Sequence, residues 1–140
     1  MKKNTALFAA GAAGYSCLEV LARGYTHWTM ALLGGLCLVA LGCIAREFAG
    51  SPLAAQAALG AGVITAAEFC TGLLVNLVLG WQVWDYSAEA GNFLGQVCPR
   101  FSFYWFLLCY AALGLARAGR NLYARRTGAP QTNRTGQKAP

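Results

Sequence analysis

Glu68 stands in a run of Ala, Val, Leu and Phe, and Thr65, Glu68, Gly72 and Asn76 follow one another at spacings of 3, 4 and 4. A helix gathers such positions on one face. An ionised carboxylate in the middle of an apolar helix is costly in lipid unless it is paired or protonated, and such residues usually serve a site. The chemistry that fits is binding of a cation, a proton or a polar substrate group, with Thr65, Thr71 and Asn76 as hydrogen-bonding neighbours. The alternative is interhelical glue, with Glu68 bonded to a hydroxyl such as that of Ser16. A second stripe, Ala12, Ser16, Glu19 and Arg23, runs at 4, 3 and 4. Glu19 and Arg23 are spaced to pair one turn apart, which accounts for Glu19 without a ligand. If both glutamates face inward, each raises the other's affinity for a proton, an arrangement suited to proton or cation handling.

After the Glu68 run come Gly80-Trp81-Gln82-Val83-Trp84-Asp85-Tyr86-Ser87 and Gly91-Asn92-Phe93-Leu94-Gly95-Gln96-Val97-Cys98-Pro99-Arg100-Phe101-Ser102. These hold too many turn formers for one regular element and predict a structured aromatic loop. Trp84, Asp85, Tyr86, Ser87, Asn92 and Arg100 are its candidate lid residues. Asp85 suits a turn in which its carboxylate accepts backbone N–H groups; a sharper expectation is that it pairs with Arg100 and closes the loop. Trp81, Trp84, Tyr86, Tyr104 and Trp105 fit an aromatic belt at a membrane surface. The chain has no Gly-rich phosphate loop ending in Lys-Ser or Lys-Thr, no H-E-x-x-H and no G-x-S-x-G, and His27 is its single histidine. The chain itself is therefore not expected to be an ATPase, and neither a metal, a cofactor nor a nucleophile is indicated.

The elements that must hold these residues are set by composition. Of 140 residues, 57% are hydrophobic and only 11% charged, against about a quarter charged in a soluble domain. Four apolar stretches, about 6–21, 28–44, 53–79 and 101–116, approach the roughly 17 to 25 residues that cross a bilayer. The expected fold is an all-α membrane protein, a four-helix transmembrane bundle with the aromatic loop between helices 3 and 4. It comprises an integral membrane domain over 1–118 and a basic, disordered cytoplasmic tail over 119–140. Gly11 and Gly14 offer close helix contacts. The third stretch either tilts or breaks near Gly60 to Gly62, and Ser51-Pro52 reads as its N-cap and first helical residue. Lys2, Lys3, Arg46 and the basic tail put both termini on the cytoplasmic side and the aromatic loop opposite. The same distribution explains the net charge of +6 by lipid contact rather than nucleic acid. Five of the six cysteines fall inside apolar stretches as packing residues, leaving Cys98 nearest an outer surface. Lys2-Lys3 before an apolar run looks like a signal peptide, but the run continues to Glu19, which favours its retention. Each half gives a polar-striped helix with a glutamate, then an aromatic loop and a second helix with a cysteine, a faint parallel duplication.

Glu68-Phe69-Cys70-Thr71-Gly72, the string Trp84-Asp85-Tyr86-Ser87, Asn92-x-x-Gly95 and Phe101-Ser102-x-x-Trp105 together resemble the ABC-transporter type IV family of small bacterial integral membrane proteins. The likeness covers about 14–113, with Tyr15-Ser16 and Glu19 resembling the family's opening helix. Asn76 stands where a further carboxylate is expected, and Gly34-Gly35-Leu36-Cys37 where the family has G-P-x-C-P. The resemblance implies a multi-pass protein of the bacterial inner membrane and an ATP-driven partner on another chain. The reading is a transport-related membrane subunit in which Glu68, Glu19, Thr65 and Asn76 line a small polar cavity capped by the Asp85 loop. A chain this small makes a poor pore, so a homo-oligomer or a separate ATPase subunit is expected. The rival is a non-transporting scaffold, in which the same residues only lock helices together. Transport calls for a cavity reaching one face with Glu68 on its wall, a scaffold for a closed interior.

Overall fold

The computed structural model describes residues 2–127. Four helices follow in order: α1 Lys2–Arg23, α2 Trp28–Glu47, α3 Leu53–Gly72 and α4 Pro99–Thr127, with α3 prolonged by a π-helical turn, Leu73–Val78. No strand occurs among the described residues; the loop holds one isolated bridge between Phe93 and Val97. All four helices, α3 counted with its π turn, are long and apolar enough to cross a membrane. The expected bounds change in three places. Pro52 rather than Ser51 occupies the N-cap of α3, which starts at Leu53; the fixed φ of proline suits an extended cap residue as well as a first turn. No break occurs at Gly60 to Gly62, and the departure from α geometry comes only at Leu73. Finally, α4 runs on to Thr127, through a stretch assigned to the tail, where Ala, Arg and Leu are good helix formers. The rest of that tail, 128–140, lies outside the described residues.

The helices pair as two hairpins. In the first, α1 lies against α2 so closely that a Cβ on Gly11 would run into the backbone of Gly34, while Gly14 faces open space. In the second, α3 lies against α4, and α2 packs on α3 to join the two. Nowhere do the Cα atoms of α1 and α4 approach within 8 Å. The bundle is thus closed along α2 and α3 and open along a seam between α1 and α4. Its core is Met30, Leu33, Cys37, Leu41, Ala57, Ile64, Cys109 and Leu113. The outer faces carry exposed Leu21, Leu36, Leu77, Leu107 and Leu115, the surface that hydrocarbon-facing helices present. All six cysteines are free; Cys98, expected near a surface, is buried, and Cys17 and Cys70 are the exposed ones.

The helix ends are tied by polar groups. His27 caps α2, its Nδ1 accepting from the Thr29 N–H at 3.4 Å. At the other end, the Ser51 carbonyl accepts from Gln56 Nε2 at 3.2 Å and from Arg117 at 2.7 Å. These bonds hold the α2–α3 turn against α4. Buried polar groups need such partners, and among the described residues no buried side-chain nitrogen or oxygen lacks one.

Candidate functional site

Glu68 points inward from α3 and is 2% exposed. One carboxylate oxygen accepts from the Tyr15 hydroxyl of α1 at 2.8 Å, the other from Trp105 Nε1 of α4 at 2.7 Å. The two rings stack on each other with centroids 5.4 Å apart. The backbones of α1 and α4 stay apart, so these rings bridge the seam and converge on one acid. Both donors are neutral, and among the described residues no cationic side chain forms an ion pair with Glu68.

Glu19 is also buried but differently partnered. One oxygen is in an ion pair with Arg23, one turn on, and the other accepts from Thr26 Oγ1 at 2.6 Å. Arg23 reaches further, donating to the Val83 carbonyl of the loop at 3.4 Å and lying over the Tyr25 ring. Glu19 and Arg23 sit together on the wall of a cleft of about 310 Å³ at the seam, whose other walls are mostly rings: Tyr15, Tyr86, Phe101, Tyr104 and Trp105. Glu68 lies behind Tyr15 and Trp105 rather than on that wall.

The loop is built on Asn76. Its Nδ2 donates to the Trp84 carbonyl at 3.0 Å and to Gln96 Oε1 at 2.8 Å, and its Oδ1 accepts from the Val83 N–H at 2.7 Å. Trp84 Nε1 then donates to the Gln96 carbonyl at 3.0 Å. A single amide side chain, Asn76, thereby fastens both ends of the loop to the π turn. Nearer the surface, Asp85 accepts from the backbone N–H and the hydroxyl of Ser87. These bonds from Ser87 hold the exposed Asp85 carboxyl below its ordinary range. Asn92 Oδ1 accepts from the Gly95 N–H at 3.0 Å, and its Nδ2 donates to the Ser87 and Glu89 carbonyls. Gly95 has φ of +69°, and a Cβ there would strike Ser87 and Asp85, so glycine is required twice over. Arg100 does not pair with Asp85: it donates to both oxygens of Glu89 at 3.2 Å. Tyr86 stacks on Phe101 with centroids 4.5 Å apart, which joins the loop to α4; its burial, then the charge of Glu68, push its phenol above the ordinary value.

The expected single polar cavity is not what the stripe builds. Thr65 donates to Ser102 Oγ at 3.1 Å, tying α3 to α4; Glu68 serves the ring pair; Asn76 serves the loop. Thr65 and Glu68 both reach α4, Glu68 reaches α1 as well, and Asn76, within the π turn, meets the loop instead. Thr65 borders an apolar groove with Phe69 and Phe93, apart from the Glu19 cleft, and Asn76 a polar one with Asp85 and Gln96 that shares only Arg23 with that cleft. Neither Thr71 nor Ser16 bonds to Glu68, whose oxygens are occupied by Tyr15 and Trp105. Those two rings and Gln96 are the participants that pattern reading missed. Phe101-Ser102-x-x-Trp105 carried a signal, since a spacing of three puts Ser102 and Trp105 on one side of α4 toward α3. Among the described residues no group of three His, Cys, Asp or Glu could hold a metal ion.

The family described as "Putative ABC-transporter type IV" matches residues 11–125, a stretch that takes in both glutamates, the ring pair and the whole loop. No curated protein and no solved structure matches the chain.

Proposed function

The chain belongs to the ABC-transporter type IV family, and from that membership we propose that it is the membrane subunit of a transport system driven by an ATPase on a separate chain. Its four helices cross the inner membrane of a bacterium, with both termini cytoplasmic and the aromatic loop outside. The substrate is a cation or small polar molecule bound beside Glu68. One observation carries this reading: a buried carboxylate is held by two neutral donors without an ion-pair partner, directly behind the wall of a cleft that opens between two helices. Glu19, by contrast, has its own cation in Arg23 and needs no ligand. The basic residues around the termini support the orientation.

The rival reading is a scaffold, and two observations favour it: the full hydrogen bonding of the interior among the described residues, and the position of Glu68 behind the cleft wall rather than on it. The two differ in the response to Glu68→Gln. Purification of the native complex under mild detergent is expected to bring an ATPase subunit in fixed ratio. In that complex Glu68→Gln should keep assembly but abolish substrate-stimulated ATP turnover, whereas Glu68→Leu should lose both. A scaffold tolerates Gln in every assay.

A further inference from the structure

We propose that the seam between α1 and α4 binds a lipophilic organic cation, a quaternary ammonium or phosphonium bearing alkyl or aryl groups, admitted sideways between the two helices. This rests on the reading of the Glu68 region as a ligand site and gives that ligand a chemical class. Three observations converge on it. The cleft of about 310 Å³ is walled by Tyr15, Tyr86, Phe101, Tyr104 and Trp105, and ring faces attract a weakly hydrated cation most strongly where water is excluded. Tyr15 O–H and Trp105 N–H both donate to Glu68, which pushes electron density into the two rings and makes their faces more negative. The charges at the cleft also sum the right way. Glu19 and Arg23 cancel as a pair, whereas the Glu68 carboxyl behind the rings has only neutral donors and no cationic partner among the described residues, so a cationic ligand would be the group that pairs with it.

The apolar body of such a cation has a place as well. A second groove of about 210 Å³ continues the cleft along the same seam, sharing Tyr15, Leu18, Trp105 and Leu108 and adding Gly14, Leu38 and Ala112. A small hydrated inorganic cation would gain nothing from these walls, and an uncharged hydrocarbon nothing from Glu68. No Cα atoms of α1 and α4 lie within 8 Å of each other, and the Tyr15 and Trp105 rings, stacked across the seam, are the groups that must part for entry from the side.

The test uses the full-length chain in nanodiscs of phosphatidylethanolamine and phosphatidylglycerol, with tetraphenylphosphonium as probe and tetraphenylborate, of the same shape and opposite charge, as control. Binding is read by equilibrium dialysis, corrected for partition into empty nanodiscs. Tetraphenylphosphonium should saturate at one site, with tetraphenylborate at least about tenfold weaker. Trp105→Leu and Glu68→Gln should each weaken the cation about tenfold, the scale of one desolvated ring or charge contact. Tyr104→Leu, at the exposed mouth, should weaken it about threefold and keeps the test valid if the buried variants fail to fold. Phe103→Leu, outside the cleft, should change nothing. Equal binding of the two ions, or no saturable binding, overturns the ligand class while leaving ATPase co-purification untouched. Displacement of the probe by phosphatidylcholine would assign the cleft to a lipid headgroup and overturn the substrate. Saturable binding to a chain that never co-purifies with an ATPase would fail the transport reading alone.

Discussion

Glu19 and Glu68 occupy the first helices of the two hairpins and are both largely withdrawn from solvent, at 8% and 2% exposure, yet their neighbourhoods are opposites. Glu19 has an arginine one turn away and a threonine hydroxyl on its other oxygen, so its charge is neutralised within α1 and its connecting turn. Glu68 has a phenol and an indole, from two helices whose backbones stay apart. The lesson is that a buried carboxylate reveals little until its partners are counted. The first is an internally closed pair; the second links two helices through neutral donors and has no cation beside it.

The largest effect should come from breaking the second neighbourhood. Glu68→Leu strands the Tyr15 hydroxyl and the Trp105 N–H, at roughly 1–3 kcal/mol each, and thermal unfolding followed by circular dichroism should show a large drop in Tm. Glu68→Gln, which keeps an acceptor, should recover most of it. If Leu were as stable as Glu, the two glutamates would be equivalent after all. Next, Asn76→Leu removes three hydrogen bonds beneath the loop and should cost about 2 kcal/mol. Amide exchange should quicken across residues 81–97 and around Arg23, which touches Val83, but not around Trp105. Arg23→Met sharpens the comparison from the other side: it leaves Glu19 without its cation and should cost about 1 kcal/mol, the pair being only partly buried. The smallest effect belongs to Asp85. Its carboxyl is held below the ordinary range, so its contribution is complete at neutral pH and is lost as pH falls through that lowered value. Exchange of the Ser87 amide should accelerate only in acid, and Asp85→Asn should remove that dependence while leaving both glutamates unaffected.

The helices were legible because apolar runs of that length have few other outcomes, and the i,i+4 pairing of Glu19 with Arg23 follows from helix geometry alone. Their ends were less so: the tail boundary failed where good helix formers carried α4 onward to Thr127. The stripe through Thr65, Glu68 and Asn76 was correctly read as one side of a helix, but which neighbour each residue meets depends on how three other segments are arranged in space. Spacing within α3 holds no record of that. Asp85 illustrates the same limit. Its turn with Ser87 is local and was anticipated, whereas the choice of Arg100 between Asp85 and Glu89 is decided by the path of the loop.

The π turn at Leu73–Val78 bears on chain length. A wide turn of this kind accommodates one residue more than the α-helical winding it replaces. It stands between the carboxylate of Glu68 and the Trp84 anchor of the loop, two features that are otherwise rigidly spaced. A sequence shorter by one residue in this interval could retain both by winding the turn normally. This is therefore the place where a single-residue deletion should be survivable, while the same deletion within α3 before Glu68 would rotate Glu68 relative to the rings that hold it.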